Sequence, residues 1–261
     1  MREWILQEVN YGFVKDNPYE VAVLPMGATE PHNLHLPYGT DTFEATEIAS
    51  RSCEAAWKQG AKVVMLPAIP YGTETNQREF HLSMNVNPTT LGQIIKDLTA
   101  SMEYQGIRKL VILNSHGGND FKPLLREMSG TTAVNMFLCN WFKETSADVK
   151  SEIFDHPDDH AGEMETSLGL ACFPEFIDRD PESGKLNADD GTCRPTRFEA
   201  VNNGWVSITR PWHLLTTNSG AGYPHEATAE KGEKLMDILV ERISSFLVDL
   251  ANAEIDESFP F

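Results

Sequence analysis

Short, mostly apolar runs that alternate with helix-period segments constrain this chain more than any other feature. Val21–Met26 is aliphatic and closes on Gly27, the pattern of a buried strand. Residues 62–69 (KVVMLPAI) repeat it, with Pro67 ending the strand near Leu66 because proline lacks a ladder donor. Residues 109–113 and 133–141 supply a third and a fourth run. Between them, residues 42–58 and 89–104 carry aliphatic side chains at helical spacing and stop at Gly60 and Gly106. Further helices are expected over 121–128, 161–173 and 227–250, and a short helix or arm around Trp4, Ile5 and Leu6. Strands without polar alternation, separated by helices, imply a mostly parallel sheet covered on both faces. The expected fold class is α/β, a single-domain, three-layer α/β/α architecture with a mostly parallel central sheet. No repeat or low-complexity linker divides residues 1–261. Residues 174–225, rich in Pro, Gly and Asn, read as an irregular cover with 205–208 as a candidate strand.

Ligands of parallel sheets bind beyond the carboxyl ends of the strands, and two of these strands run into chemistry-bearing turns. After Met26 the chain presents Glu30, His32, His35 and Asp41 within twelve residues. Glu30 and His32 are two apart, so an extended backbone aims both to one side, and Pro31 keeps the segment extended. A carboxylate and an imidazole converging, with Asp41 following, suit a divalent cation. A polar loop with a capping Asp41 fits the same residues. After Leu113 comes Asn114-Ser115-His116-Gly117-Gly118-Asn119, whose glycines permit a tight turn and close approach to a ligand, with Asn114 and Asn119 as braces. A third stretch, residues 158–167 (DDHAGEMETS), opens the helix expected over 161–173. At 100° per residue, Ala161, Met164, Leu168, Ala171 and Cys172 mark its buried face. Glu165 lies on the shoulder of that face, where a carboxylate needs a cation or backbone amides as partner, and Glu163 points nearly opposite.

The segments LPMGATEPHNLHLPYGTD, LVILNSHGGND, HAGEMETS and GYPHEATAEKGEKL occur in this order between residues 21 and 236. Together they resemble the creatininase (creatinine amidohydrolase) family. The resemblance implies a single creatininase-like, metal-dependent amidohydrolase domain over 1–261. Glu30 and His116 would hold one divalent cation, His32 and Glu165 a second, and Asp41 would bridge them. Glu165 stands in this set because the family's prototype carries a Glu two residues after the motif His, where this chain has Gly118. A water between the cations would serve as nucleophile, and His160, matching the family's His before the small-residue pair, would move a proton or hold the amide oxygen. Zinc suits the imidazole–carboxylate mixture, and manganese or iron(II) would be tolerated. Tyr71 and His35 are candidate substrate-binding residues, and Trp205, Trp212 and His213 further candidates for a pocket wall. A homo-oligomer, a hexamer by resemblance, is the expected assembly.

Family substrates include creatinine, a formamidopyrimidine and a peptide precursor. Many members carry a Phe-Pro-Gly-Thr-like turn where this chain has residues 81–87 (HLSMNVN). The expected reaction is therefore hydrolysis of a C–N amide bond in a small cyclic amide or formamide, and not necessarily creatinine. A peptidase acting on a short peptide end is the alternative, and a non-catalytic, metal-stabilised binding protein a third reading. A formal net charge of −18 argues against nucleic acid or an anionic membrane as partner. With few Lys or Arg near the motifs, an anionic substrate would depend on bound metal for positive charge. The four cysteines include no CxxC pair and read as buried hydrophobes, and no leader or spanning segment is recognisable, so a cytoplasmic protein is expected.

Overall fold

The structure is a computed structural model and describes residues 1–157 and 159–261; the first residue of the DDHAGEMETS motif, Asp158, lies outside them. In chain order the elements are α1 (Tyr11–Asp16), β1 (Val21–Met26), α2 (Thr40–Lys58), β2 (Val63–Met65), α3 (Pro88–Tyr104), β3 (Lys109–Asn114) and α4 (Lys122–Met128). They continue with β4 (Asn135–Asn140), α5 (Lys150–Ile153), α6 (Glu163–Cys172), α7 (Glu199–Asn202), α8 (Trp212–Leu215) and α9 (Ala229–Asn252). The sheet has four strands in the order β2-β1-β3-β4, all parallel. Val21 is level with Val63 and Lys109, and Lys109 with Asn135. Met26, Asn114 and Asn140 therefore end side by side, and the loops leaving β1 and β3 emerge as neighbours.

Strand parity sorts the core into two layers. Val21, Val23, Val111 and Leu113 face Ile48 of α2 and Leu235 and Leu239 of α9, whereas Ala22, Leu24, Leu110 and Ile112 face Leu91 and Ile95 of α3 and Leu124 of α4. This is the three-layer α/β/α arrangement expected from the alternation. Lys109, though buried, satisfies its ammonium by donating to the carbonyls of Ala251 and Ala253 at 3.3 and 2.6 Å, which ties the start of β3 to the end of α9. The N-terminal arm adds an isolated parallel bridge, Ile5 to Met65, at the outer edge of β2. All four cysteines are free. No helix among the described residues is long and apolar enough to cross a membrane.

Two local expectations differ from the structure. Residues 205–208 form no strand; Trp205 and Val206 bend back so that both N–H groups donate to the Ala200 carbonyl, and Trp205 is 75 % exposed. Glu163, expected opposite the buried face of α6, is fully buried. It accepts the N–H groups of Asp155 and His156 and pairs with Lys231 of α9. The reason is the crossing of α6 and α9 at Gly232, where a Cβ would stand 2.0 Å from the Ser167 carbonyl oxygen. So close an approach covers a side of α6 that its own periodicity marks as solvent-facing.

Candidate metal centre

The carboxyl edge of β1 and β3 carries a concentrated buried polar cluster. Glu30, His32, Asp41, Glu44, Glu74, Gln77, His116 and His160 are all buried there. Glu30 and His32 arrive on the loop after β1. Asp41 comes from the first turn of α2, where a carboxylate is favoured by the helix N-terminus. His116 follows β3 in a turn braced by Asn114, which accepts from the His116 N–H at 3.2 Å and donates to its carbonyl at 2.9 Å. Asn119 extends that brace to the Thr73 N–H. Close approach of β1 to α2 requires Gly27, since a Cβ there would meet Thr42 backbone atoms at 2.7 Å.

Asp41 sits between two imidazoles. Its Oδ1 is 3.1 Å from His32 Nε2, and its Oδ2 is 3.0 Å from His116 Nδ1. Glu30 Oε1 is 3.0 Å from the same His116 nitrogen and 3.9 Å from His32 Nε2. Glu165, half-buried at the start of α6, brings a carboxylate oxygen to within 4.8 Å of ligand atoms of His32 and Asp41. Its Oε2 also accepts the N–H of Ala161, a residue held at φ +51°. The two roles weighed for Glu165, amide cap and cation ligand, are thus compatible, one carboxylate serving both. Glu30, His32 and His160 form a second such group, and Glu30, Glu74 and His116 a third.

Electrostatics show what the cluster requires. Burial and the neighbouring Glu74 push Glu30 well above the ordinary carboxylate range, although His116 opposes them. Burial works against protonating His116, yet Glu30 and Glu74 outweigh it and raise its pKa well above the usual imidazole value. His32 is raised in the same way, with Asp41 overcoming burial. Among the described residues no Lys or Arg pairs with Glu30, Asp41 or Glu74; every such pair is with a histidine. Carboxylates this deep in the protein need protons or cations as counter-charge. Among the described residues Asp41 Oδ2 has no hydrogen-bond partner, although His116 Nδ1 is close. A carboxylate oxygen left unpaired beside an imidazole nitrogen, among further buried imidazoles and carboxylates, is a donor set that a divalent cation would satisfy, and the mixture suits zinc or manganese. The residues present therefore fit such a group.

His160 lies against this cluster at the bottom of a cavity of about 630 Å³. Its Nε2 bonds the Pro31 carbonyl at 2.9 Å, so that nitrogen carries the proton and Nδ1 is left facing Glu30 Oε1 at 4.0 Å. Burial and the neighbouring His32 lower its pKa. Trp212 stands edge-on to it, ring centroids 5.2 Å apart, and carries Arg210 over its face; Arg210 also pairs with Asp159. Glu30, Asp41, His116, His160 and Glu165 all line the cavity. Tyr71 and His35 do not. Tyr71 is 46 % exposed outside it, and His35 is buried behind the wall, its Nε2 2.8 Å from Thr166 Oγ1. Of the other aromatic candidates, Trp212 reaches the cavity and Trp205 and His213 do not. Sequence reasoning missed Glu74 and Gln77, which sit in an irregular polar stretch with no periodicity to single them out. It also missed the basic side chains Lys143, Lys150 and Arg210, which approach the cavity only through the fold.

A parallel α/β sheet with a converging histidine–carboxylate set at its carboxyl edge is an arrangement that suits a metal-dependent hydrolase. The chain belongs to the creatininase family: the family description, creatinine amidohydrolase, matches residues 9–247. Among solved structures, a Bacteroides fragilis protein assigned as a creatinine amidohydrolase superposes with a TM-score of 0.89 at 34 % identity, covering 98 % of this chain and all of that one. Manganese creatininase superposes with a TM-score of 0.74 at 21 % identity, covering 96 % of this chain and 100 % of that one. Of characterised relatives, the mycofactocin precursor peptide peptidase of Mycobacterium tuberculosis is 26 % identical over 84 % of this chain and 81 % of its own. The 3-dehydro-scyllo-inosose hydrolase of Thermotoga maritima is 28 % identical over 88 % and 78 %, and the creatinine amidohydrolase of Pseudomonas putida 26 % over 86 % and 87 %.

Proposed function

We propose that this protein hydrolyses a C–N amide bond in a small cyclic amide or formamide, with two divalent cations held by Glu30, Asp41 and His116 and by His32, Asp41 and Glu165. The observation that carries the reading is the placement of Asp41, with one oxygen toward each histidine. When bound, such a cation pair makes a water acidic enough to act as nucleophile and polarises the scissile carbonyl. His160 takes up a proton at Nδ1, the nitrogen its bond to Pro31 leaves free, and delivers it to the departing nitrogen. Trp212 packs edge-on against the imidazole that makes this transfer. Zinc is the favoured metal, with manganese or iron(II) as replacements.

The cavity volume, about 630 Å³, exceeds what one five-membered ring fills, and this supports a second reading in which a short peptide end is the substrate. The peptidase among the relatives points the same way. The chain acts as a cytoplasmic homo-oligomer, a hexamer on family resemblance. Exposed apolar side chains at Phe198, Trp205, Val206, Ile208 and Leu214 support self-association.

The deciding measurement is metal per chain, by elemental analysis of protein purified without chelator. About two ions in the wild type and one in Glu165→Gln support the assignment. One ion in both removes Glu165 from the centre, and none in either ends the proposal. A panel of cyclic amides, formamides and short peptides then separates the two substrate classes.

A further inference from the structure

The segment between β2 and α3 contributes no residue to the two cation sites proposed above, although Glu74 falls in a candidate group with Glu30 and His116, and it touches both of those ligands. Glu74 and Gln77 form one turn, closed by the Gln77 N–H donating to the Glu74 carbonyl at 3.1 Å. Glu74 Oε1 lies 2.5 Å from His116 Nε2, the ring nitrogen that faces away from Asp41, and the Thr73 carbonyl is 3.2 Å from the same atom. Gln77 Nε2 donates to Glu30 Oε2, the oxygen not facing His116 Nδ1. Both side chains are almost fully buried.

We infer that the turn 74–77 is a positioning clamp for one of the two cation sites, fixing which nitrogen of His116 and which oxygen of Glu30 are presented to the metal. The inference rests on the dinuclear reading above and adds an asymmetry to it. A histidine that donates one N–H to a carbonyl or carboxylate has its other nitrogen locked as the lone-pair donor, and its basicity rises. At His116 the acceptor is the Thr73 carbonyl, and the Glu74 carboxylate stands beside the same nitrogen and adds its charge. An amide N–H on one carboxylate oxygen leaves the other as the single ligand atom, and Gln77 does this for Glu30. Neither residue touches His32 or the Glu165 carboxylate through any hydrogen bond or ion pair recorded for the described residues. Of the two cation sites the clamp acts on the Glu30–His116 one; Gln77 Nε2 also lies 3.3 Å from His160 Nε2. The His116 imidazole is the one ion-pair partner recorded for the buried Glu74 among the described residues.

The test is zinc affinity, read by competition of metal-stripped protein against a chromogenic chelator, with no substrate present. Wild type, Glu74→Gln and Gln77→Met are compared, with circular dichroism and a thermal melt confirming that each folds. Two zinc ions per chain at saturation in all three, with one site weakened about 10- to 100-fold in each variant and the other unchanged, is the expected result. Unchanged affinities in both variants overturn the clamp. So does a Glu74→Gln protein that binds only one ion however much zinc is added, since Glu74 would then be a ligand itself. A wild type that binds no zinc instead defeats the dinuclear reading, and the two failures are distinguishable. Gln77→Met protects against a Glu74 variant that fails to fold.

Discussion

The carbonyl oxygen of Thr73 occupies the space into which a side chain on residue 118 would grow: a Cβ on Gly118 would stand 2.2 Å from it and 2.3 Å from His116 Nε2. The glycine is thus the condition for laying the 73–77 segment against His116. The absence of a carboxylate two residues after the motif histidine is built into the packing, and the carboxylate beside His32 and Asp41 is Glu165, from the start of α6.

Restoring a carboxylate at that position should therefore harm the protein. Gly118→Glu is expected to lose roughly 1–3 kcal/mol or more of stability through overpacking against backbone, without gaining a metal ligand. Calorimetric melting with and without zinc checks this. A variant with unchanged melting temperature and added metal content would contradict it.

Removing metal should destabilise the protein. With Glu30, Asp41 and Glu74 buried together and no Lys or Arg paired to them, cations supply counter-charge that only histidine protons otherwise provide. Each ion present at about 100 times its Kd adds about 2.7 kcal/mol of stability by linkage. Chelation should lower the melting temperature and zinc should restore it. Asp41→Asn, which removes charge at the bridging position, should show a much smaller zinc-dependent shift. Equal shifts in the two proteins would show that Asp41 is not shared between sites.

His35 should make stability depend on pH. Burial, and next the proximity of His32, holds its imidazole down to about 3 in the folded protein, against 6.5 for an unperturbed histidine. Above 6.5 both folded and unfolded chains carry it neutral, and its full contribution is present. As pH falls from 6.5 toward about 3, the unfolded chain binds a proton that the folded chain does not. Stability then drops by up to about 1.4 kcal/mol per pH unit. In His35→Gln, which can still meet the Thr166 hydroxyl, this component should vanish. Denaturant melts of both proteins from pH 7 to 5 measure the difference, and parallel curves would refute it.

Sequence reading and structure agree most closely where local chemistry decides. Val21–Met26 and Lys109–Asn114 are strands because every side chain in them is apolar or, like Lys109 and Asn114, finds a specific partner. Residues 205–208 have the composition of a strand but no neighbour to pair with, and pairing is not a local property. The same division runs through the candidate centre. Glu30, His32, Asp41, His116, His160 and Glu165 are marked by short spacing, by their place after strands or by a helix face, and the fold gathers them into one cluster, all but His32 lining one cavity. His35 shares the spacing, yet the path of the chain after Pro31 turns it onto Thr166.

What the sequence by itself determined is the alternation of elements, hence the parallel sheet and the edge at which its chemistry gathers, because periodicity and turn residues act over a few positions. What only the tertiary structure decided is everything that depends on a second segment arriving from elsewhere. Glu163 is buried because α9 crosses α6 at Gly232, and Glu74 and Gln77 meet His116 and Glu30 because Gly118 leaves room for their loop. Those contacts join residues tens of positions apart. Their energy comes from desolvation and close packing, which no single stretch of chain encodes.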